Sequence, residues 1–322
     1  MILVTGGTGF LGSTLIKLLV EQGKAVRAIK RSDAITPEYL KASSLIEWVN
    51  ADVTDYFSLD DCFHGIKQVY HCAAMISYQK ADAPQMFNIN IEGTKNIVNL
   101  CLAYQARLVH VSSIAALGSS KDNQPVDERD KWEYDAKTPN YSLSKYKSEL
   151  EVWRGINEGL EAVIVNPSVI MGVGAGKQGS RVIFDLVNRG LKIYPPGSVG
   201  IVDVHDVAQV MIQLMQRDGS LGQRYIVNSE NISNKDLLER IAQLLGKQPP
   251  TVAAKPFMLE VAWRIAQVIA FLQRKKAALT EESARASAIK LAYKNQKIIE
   301  ALNYTFKPVD TTLKEIAAAY YK

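Results

Sequence analysis

Short apolar runs alternate along the chain with longer stretches in which apolar residues recur every three or four positions. The runs predict buried strands and the periodic stretches predict amphipathic helices. Ile2, Leu3 and Val4 form the first run, and from Leu11 the residues Leu15, Ile16, Leu18, Leu19 and Val20 keep helical spacing up to Gly23. Further strands are predicted at 25–30, 45–50, 68–74, 107–111, 161–167 and 224–228. Helices are predicted through Asp60 and Cys62, over 88–104, from Tyr141 to about Asn157, through Phe184 and Leu186, and over 233–245. Strands alternating with helices in this way predict an α/β fold with a doubly wound parallel sheet, whose ligand crevice lies at the C-terminal ends of the strands.

The turn joining the first strand to the first helix reads Thr5-Gly6-Gly7-Thr8-Gly9-Phe10-Leu11-Gly12. Gly6 permits the tight turn, Gly9 lets the backbone approach a pyrophosphate with no Cβ in the way, and Gly12 lets the helix pack close to the sheet. The helix N-terminus offers free N–H groups and partial positive charge to a diphosphate. An ordinary glycine-rich turn is the alternative; a strand before it and a helix after it favour a dinucleotide. Gly6, Thr8, Gly9, Phe10, Leu11 and Gly12 are therefore the expected cofactor-binding turn of a Rossmann domain.

The end of the second strand reads the adenosine ribose. A carboxylate there suits the 2′-hydroxyl of NAD, whereas Lys30 and Arg31 stand at the corresponding place in this chain. A guanidinium binds a 2′-phosphate through charge-assisted bonds, so Arg31 points to NADP. Two alternatives stay open: Asp33 acting in an NAD mode, and Lys30 and Arg31 as solvated charges at a strand end.

Tyr141-Ser142-Leu143-Ser144-Lys145 opens a predicted helix, and Tyr141 and Lys145 project from one face of it. A phenol of ordinary pKa about 10 is a poor acid or base at neutral pH, and a nearby ammonium favours its ionised form. Ser113, at the end of the fifth strand, falls at the crevice. It is expected to hydrogen-bond a substrate oxygen while Tyr141 delivers a proton and Lys145 reaches the nicotinamide ribose. The same spacing recurs at Tyr293 and Lys297, without a strand-end serine before it, and reads as a face of a C-terminal helix.

At 322 residues, 47% hydrophobic and 22% charged, with a formal net charge of +5, the chain has ordinary globular composition and no block of like charges that would suit nucleic acid. Cys62, Cys72 and Cys101 lack metal or redox spacing, and His64, His71, His110 and His205 are scattered, so no metal site is expected. Free thiols and the absence of a leader before the first strand give a cytoplasmic location as the expectation. The apolar stretch 257–272 is interrupted by Glu260 and Arg264 and is short for a membrane span. It is expected to roof a substrate pocket, with a membrane-surface helix as the alternative. The expected partner is a small-molecule substrate, and a homodimer is compatible with the chain.

The Gly-x-x-Gly-x-x-Gly form of the turn, with the serine, tyrosine and lysine in order behind it, resembles the extended short-chain dehydrogenase/reductases, the NAD-dependent epimerase/dehydratase family. The tail, including Leu302-Asn303-Tyr304-Thr305-Phe306, resembles the dihydroflavonol-reductase-like and 3β-hydroxysteroid-dehydrogenase-like group. The resemblance implies that Asp52 and Val53 contact adenine, that Ala73 and Ala74 bring backbone against the cofactor, and that Asn90 orders the active-site backbone. It further implies that the backbone after Pro167, at Val169, holds the nicotinamide carboxamide, and that the second aspartate of Asp203 and Asp206 begins a helix. Asn166 and Met171 depart from the Arg and Tyr of the family's Arg-Pro-x-x-Val-Tyr-Gly pattern.

The resemblance divides the chain into a Rossmann domain, 1–168 and about 200–228, and a smaller mixed substrate lobe, about 169–199 and 229–322. It implies an NADP-dependent oxidoreductase acting on a carbonyl or secondary alcohol of a small, fairly apolar substrate. The alternative is a nucleotide-sugar epimerase or dehydratase with tightly held NAD, for which Arg181, Lys192 and Arg224 are candidate diphosphate ligands. A non-catalytic NADP-binding protein would need no Ser113, Tyr141 and Lys145 set.

Overall fold

The structure is a computed structural model that describes residues 1–118, 124–133, 135, 138–175, 179–277 and 279–321. The chain runs through β1 (Ile2–Thr5), α1 (Phe10–Glu21), β2 (Val26–Lys30), β3 (Ile46–Asn50), α2 (Tyr56–Cys62) and β4 (Gln68–His71). It continues through α3 (Ala83–Phe87), α4 (Gly93–Tyr104), β5 (Arg107–Val111), α5 (Asn140–Asn157) and β6 (Ala162–Pro167). Then come β7 (Val169–Met171), α6 (Ser180–Asn188), β8 (Ile193–Tyr194), β9 (Ser198–Asp203), α7 (Val204–Gln216), β10 (Gln223–Val227) and β11 (Glu230–Ser233). The remaining elements are α8 (Asn234–Leu244), β12 (Val252–Ala253), α9 (Pro256–Leu272), α10 (Glu281–Ala288), α11 (Gln296–Leu302) and α12 (Val309–Tyr320).

Seven strands form one parallel sheet in the order β10-β6-β5-β4-β1-β2-β3. Its register places Thr5 beside His71, and His71 beside His110, so the strand ends that lead into the crevice are aligned. Strand order reverses at β1 and β4, which is where a doubly wound sheet opens its ligand crevice. Every residue of β6 is buried, as a strand covered on both faces requires. Leu15, Ile16 and Leu19 of α1 pack with Val207, Met211 and Leu214 of α7 on one face of the sheet. Leu59, Ile97, Leu100 and Val152 cover the other face.

A second sheet, β11-β9-β7, packs with α6, α8 and α12 around Phe184, Ile201, Leu237 and Leu313. β8 and β12 form a two-stranded pair.

Three local expectations are corrected. The helix expected from Asn88 runs on from α3 through a π-turn at Asn88–Glu92 into α4, and such a turn re-aims a side chain that a regular helix would point elsewhere. The helix expected at the second aspartate of the Asp203 pair begins earlier: Asp203 caps α7 by accepting from the His205 N–H at 2.8 Å, and Asp206 lies in its first turn. Tyr293 and Lys297 do not share a helix face, because Tyr293 pairs with Val126 in an isolated bridge ahead of α11. The polar loop expected over 119–140 lies partly outside the described residues.

Candidate active site

The glycine turn is shaped by close backbone approaches. Gly6 has φ of +65°, and a Cβ on it would meet the Ala73 nitrogen at 2.8 Å. A Cβ on Gly12 would lie 2.2 Å from the Gly6 carbonyl oxygen, so α1 can start this close to the turn only with glycine there. No side chain caps α1 at Gly9, and no acidic residue stands in its first turn, which leaves N–H groups for an anion. Gly9 is exposed, Thr8 and Phe10 are half-buried, and Leu11 is buried in the core. This cradle fits a dinucleotide pyrophosphate.

Arg31 lies just beyond β2, exposed, with its Nε 3.3 Å from Asp33 Oδ1. The two candidate ribose readers are thus one exposed ion pair. Asp52 Oδ1 accepts from the Thr54 N–H and hydroxyl at 2.9 and 2.8 Å, while Val53 is buried against Gly93. Asp55 caps α2 through Phe57 and Ser58, as a helix-starting aspartate should.

Behind the turn, Thr5 Oγ1 accepts from the Ala73 N–H at 3.2 Å and meets His71 Nδ1 at 2.7 Å. The other ring nitrogen of His71 meets Thr94 Oγ1 at 3.1 Å. Burial, with the Lys145 charge adding to it, pushes the His71 imidazole down to about 3. His71 is therefore a neutral core histidine. The fold brings His110, distant in sequence, to a ring separation of 5.3 Å from it. Ala74, beyond the anchored Ala73, is exposed toward solvent.

Tyr141 and Lys145 stand one turn apart in α5, facing the end of β5. Lys145 is buried and its Nζ donates to the Val111 carbonyl at 2.8 Å. Burial pushes this ammonium down to about 8, against the opposing pull of Glu149 and Cys72. Burial pushes the Tyr141 phenol up to about 12, a side-chain hydrogen bond with Ser113 works against that rise, and Tyr78 adds to it. The lowering expected from Lys145 does not govern the phenol here; burial does. Ser113 Oγ also accepts from the Ala115 N–H at 3.1 Å, which fixes its position.

Asn90, carried inward by the π-turn, brackets the backbone of Met75: its Oδ1 accepts from the Met75 N–H at 2.7 Å and its Nδ2 donates to the Met75 carbonyl at 2.9 Å. The same Nδ2 lies 2.9 Å from Ser144 Oγ, between Tyr141 and Lys145 in sequence. Pro167 is buried at the end of β6, and Val169 opens β7 with an exposed side chain.

Several residues of the site carry no sequence motif. Glu149, one turn beyond Lys145 on α5, is buried and accepts from Ser112 Oγ, Asn166 Nδ2, Arg224 Nη1 and Trp153 Nε1 at 2.7, 2.9, 3.1 and 3.2 Å. In sequence only its helical spacing from Lys145 points to it. Tyr78 lies with its ring 5.8 Å from that of Tyr141, and Tyr293 is close enough for Tyr78 to raise its phenol further after burial. Among the described residues no group of three or more His, Cys, Asp or Glu is arranged to hold a metal ion.

The sequence profile of the NAD dependent epimerase/dehydratase family matches residues 2–228 of the chain, from β1 to just past β10. The chain belongs to this family. A Synechocystis sp. protein named as a dihydroflavonol 4-reductase is 32% identical over 308 residues, covering 93% of this chain and 88% of its own length. Sterol demethylase protein B of Methylococcus capsulatus is 30% identical over 265 residues, covering 80% and 78%. The crystal structure of gox2253 superposes with a TM-score of 0.84 at 30% identity, covering 100% of this chain and 97% of that one. Family membership makes the chain an enzyme that uses a nicotinamide cofactor and acts on a small molecule.

Proposed function

We propose that this family member is an NADP-dependent reductase of a carbonyl group on a small, fairly apolar substrate, with Ser113, Tyr141 and Lys145 as catalytic residues. The observation that carries the reading is the hydrogen bond of the Ser113 side chain with the Tyr141 phenol, one turn of α5 from a Lys145 held at the end of β5. A protonated phenol donates a proton, which is what reduction of a carbonyl requires. Ser113 holds the substrate oxygen and Tyr141 gives it a proton. Lys145 leaves the Val111 carbonyl to hold ribose hydroxyls. The nicotinamide, when bound, supplies the hydride.

Cofactor contacts are assigned to Gly6, Thr8, Gly9, Phe10, Leu11, Gly12, Arg31, Asp52, Val53, Ala73, Ala74, Pro167 and Val169, besides Tyr141 and Lys145. The segments 169–199 and 229–322 form the substrate lobe on this reading. Two of the three candidate diphosphate ligands of the sugar-nucleotide reading are engaged elsewhere. Arg224 donates to Glu149 and to the carbonyls of Glu128 and Asp130, and the Arg181 guanidinium lies 5.2 Å from the centre of the Tyr320 ring.

The test is NADPH oxidation with a panel of apolar aldehydes and ketones, run on the wild type and on Tyr141→Phe. The reading predicts turnover that falls by about 100-fold or more in the variant while cofactor binding persists. Retained turnover in Tyr141→Phe would remove the mechanism.

A further inference from the structure

Helix α9, expected to roof a substrate pocket, buries only Ala270 fully. Phe257, Val261, Ile265, Val268 and Leu272 recur at helical spacing and form an outward apolar stripe, and Phe271 at its edge is 83% exposed. An exposed apolar face of this extent on one helix marks an interaction surface. With 17 residues the helix is too short to cross a bilayer, and among the described residues no helix is long and apolar enough to do so. It has the form of a helix that lies in an interface.

The charges at its two ends decide what covers it. Lys255 stands exposed at the N-terminus, and Gln273 leads into Arg274, Lys275 and Lys276 at the other. Lys276 pairs with Asp82 at 2.7 Å, whereas Arg274 and Lys275 form no salt bridge among the described residues. Arg264, within the stretch, is neutralised by Glu260 at 2.7 Å. A second copy of the chain would meet this face poorly: an antiparallel pair sets Lys255 beside the other copy's Arg274 and Lys275, and a parallel pair sets Arg274 against Arg274. Both arrangements juxtapose like charges. A negatively charged surface complements both ends at once while the stripe between them enters an apolar layer.

We propose that the outer face of α9 docks on an anionic lipid bilayer, with the helix axis in the plane of the interface. The docked face adjoins the catalytic crevice. Gln79, next to Tyr78, donates to the Ala277 carbonyl at 2.7 Å just after α9, and Glu282 of α10 accepts from Asn140 Nδ2 at 3.0 Å, next to Tyr141. A bilayer bound here lies beside the crevice mouth. The inference concerns the surface alone and stands whether or not the catalytic reading holds.

Co-sedimentation of the full chain with phosphatidylcholine vesicles, with and without phosphatidylglycerol, tests it. The expected result is binding to the phosphatidylglycerol vesicles and little to the neutral ones. Phe271→Glu with Leu272→Glu, and separately Arg274→Glu with Lys275→Glu, should each weaken binding by about 10-fold or more without changing the thermal melt. Absence of wild-type binding to anionic vesicles would overturn the proposal. So would unchanged binding in both double variants, or a solution dimer that Phe271→Glu with Leu272→Glu dissociates.

Discussion

Asn166 donates from its Nδ2 to the backbone carbonyl of Ser113 at 3.0 Å and to Glu149 Oε2 at 2.9 Å. One buried amide at the end of β6 thereby ties the backbone of Ser113 to a carboxylate one turn beyond Lys145. Asn166 is also the place where the chain departs from its family's arginine. The cation facing Glu149 comes instead from the neighbouring strand: Arg224 of β10 reaches it at 3.1 Å.

Glu149→Gln tests how this cluster supports Lys145. The carboxylate raises the ammonium pKa against burial, so its removal lowers that pKa further below about 8. The pH at which kcat/KM falls on the alkaline side should move down, because Lys145 loses its proton earlier. A pH–rate profile reads the shift, which a purely structural role would not produce. An unmoved alkaline limb would show that Glu149 does not tune the lysine.

Gly12→Ala should disturb the glycine turn. Its Cβ would lie 2.2 Å from the Gly6 oxygen, and overpacking of this kind costs about 1–3 kcal/mol. Thermal unfolding should fall and NADPH binding should weaken together. An unaltered melt and affinity would mean that α1 can slide away from the turn.

Arg31→Glu should weaken NADPH binding by roughly 10- to 100-fold through loss of charge-assisted bonds to the 2′-phosphate, and leave NADH nearly unaffected. Isothermal titration with both cofactors measures it. Equal losses would assign Arg31 to its pair with Asp33 and nothing more.

His71 gives stability a pH dependence with a definite sign. Its folded pKa is pushed down to about 3 from an ordinary value near 6.5, so between these values the unfolded chain binds a proton that the folded chain does not. Stability is therefore present above about 6.5 and is lost as pH falls toward the folded pKa. His71→Gln should flatten the decline in melting temperature between about pH 6.5 and 5. An unchanged slope would assign the decline to other groups.

The parts of this fold legible in sequence are those whose causes are local. The glycine turn, the apolar runs of β1 to β6 and the face shared by Tyr141 and Lys145 each follow from residues a few positions apart. Glu149, Asn166 and Arg224 meet only because β10 lies beside β6 in the sheet, a pairing that no short window of sequence expresses. Tyr293 misled for the same reason: its spacing to Lys297 is helical, but the strand-like bridge to Val126 outweighs it. The stretch 257–272 shows a limit of composition, since apolar periodicity marks a face without saying whether the fold covers it.

The most direct test of the account is nicotinamide fluorescence during titration of the purified chain with NADPH and with NADH, after the protein as isolated has been assayed for bound cofactor. An NADP-dependent reductase should have an exchangeable site that carries no retained NAD and binds NADPH far more tightly than NADH. Tightly retained NAD, released only on denaturation, would contradict it and favour an epimerase or dehydratase that recycles its cofactor in place.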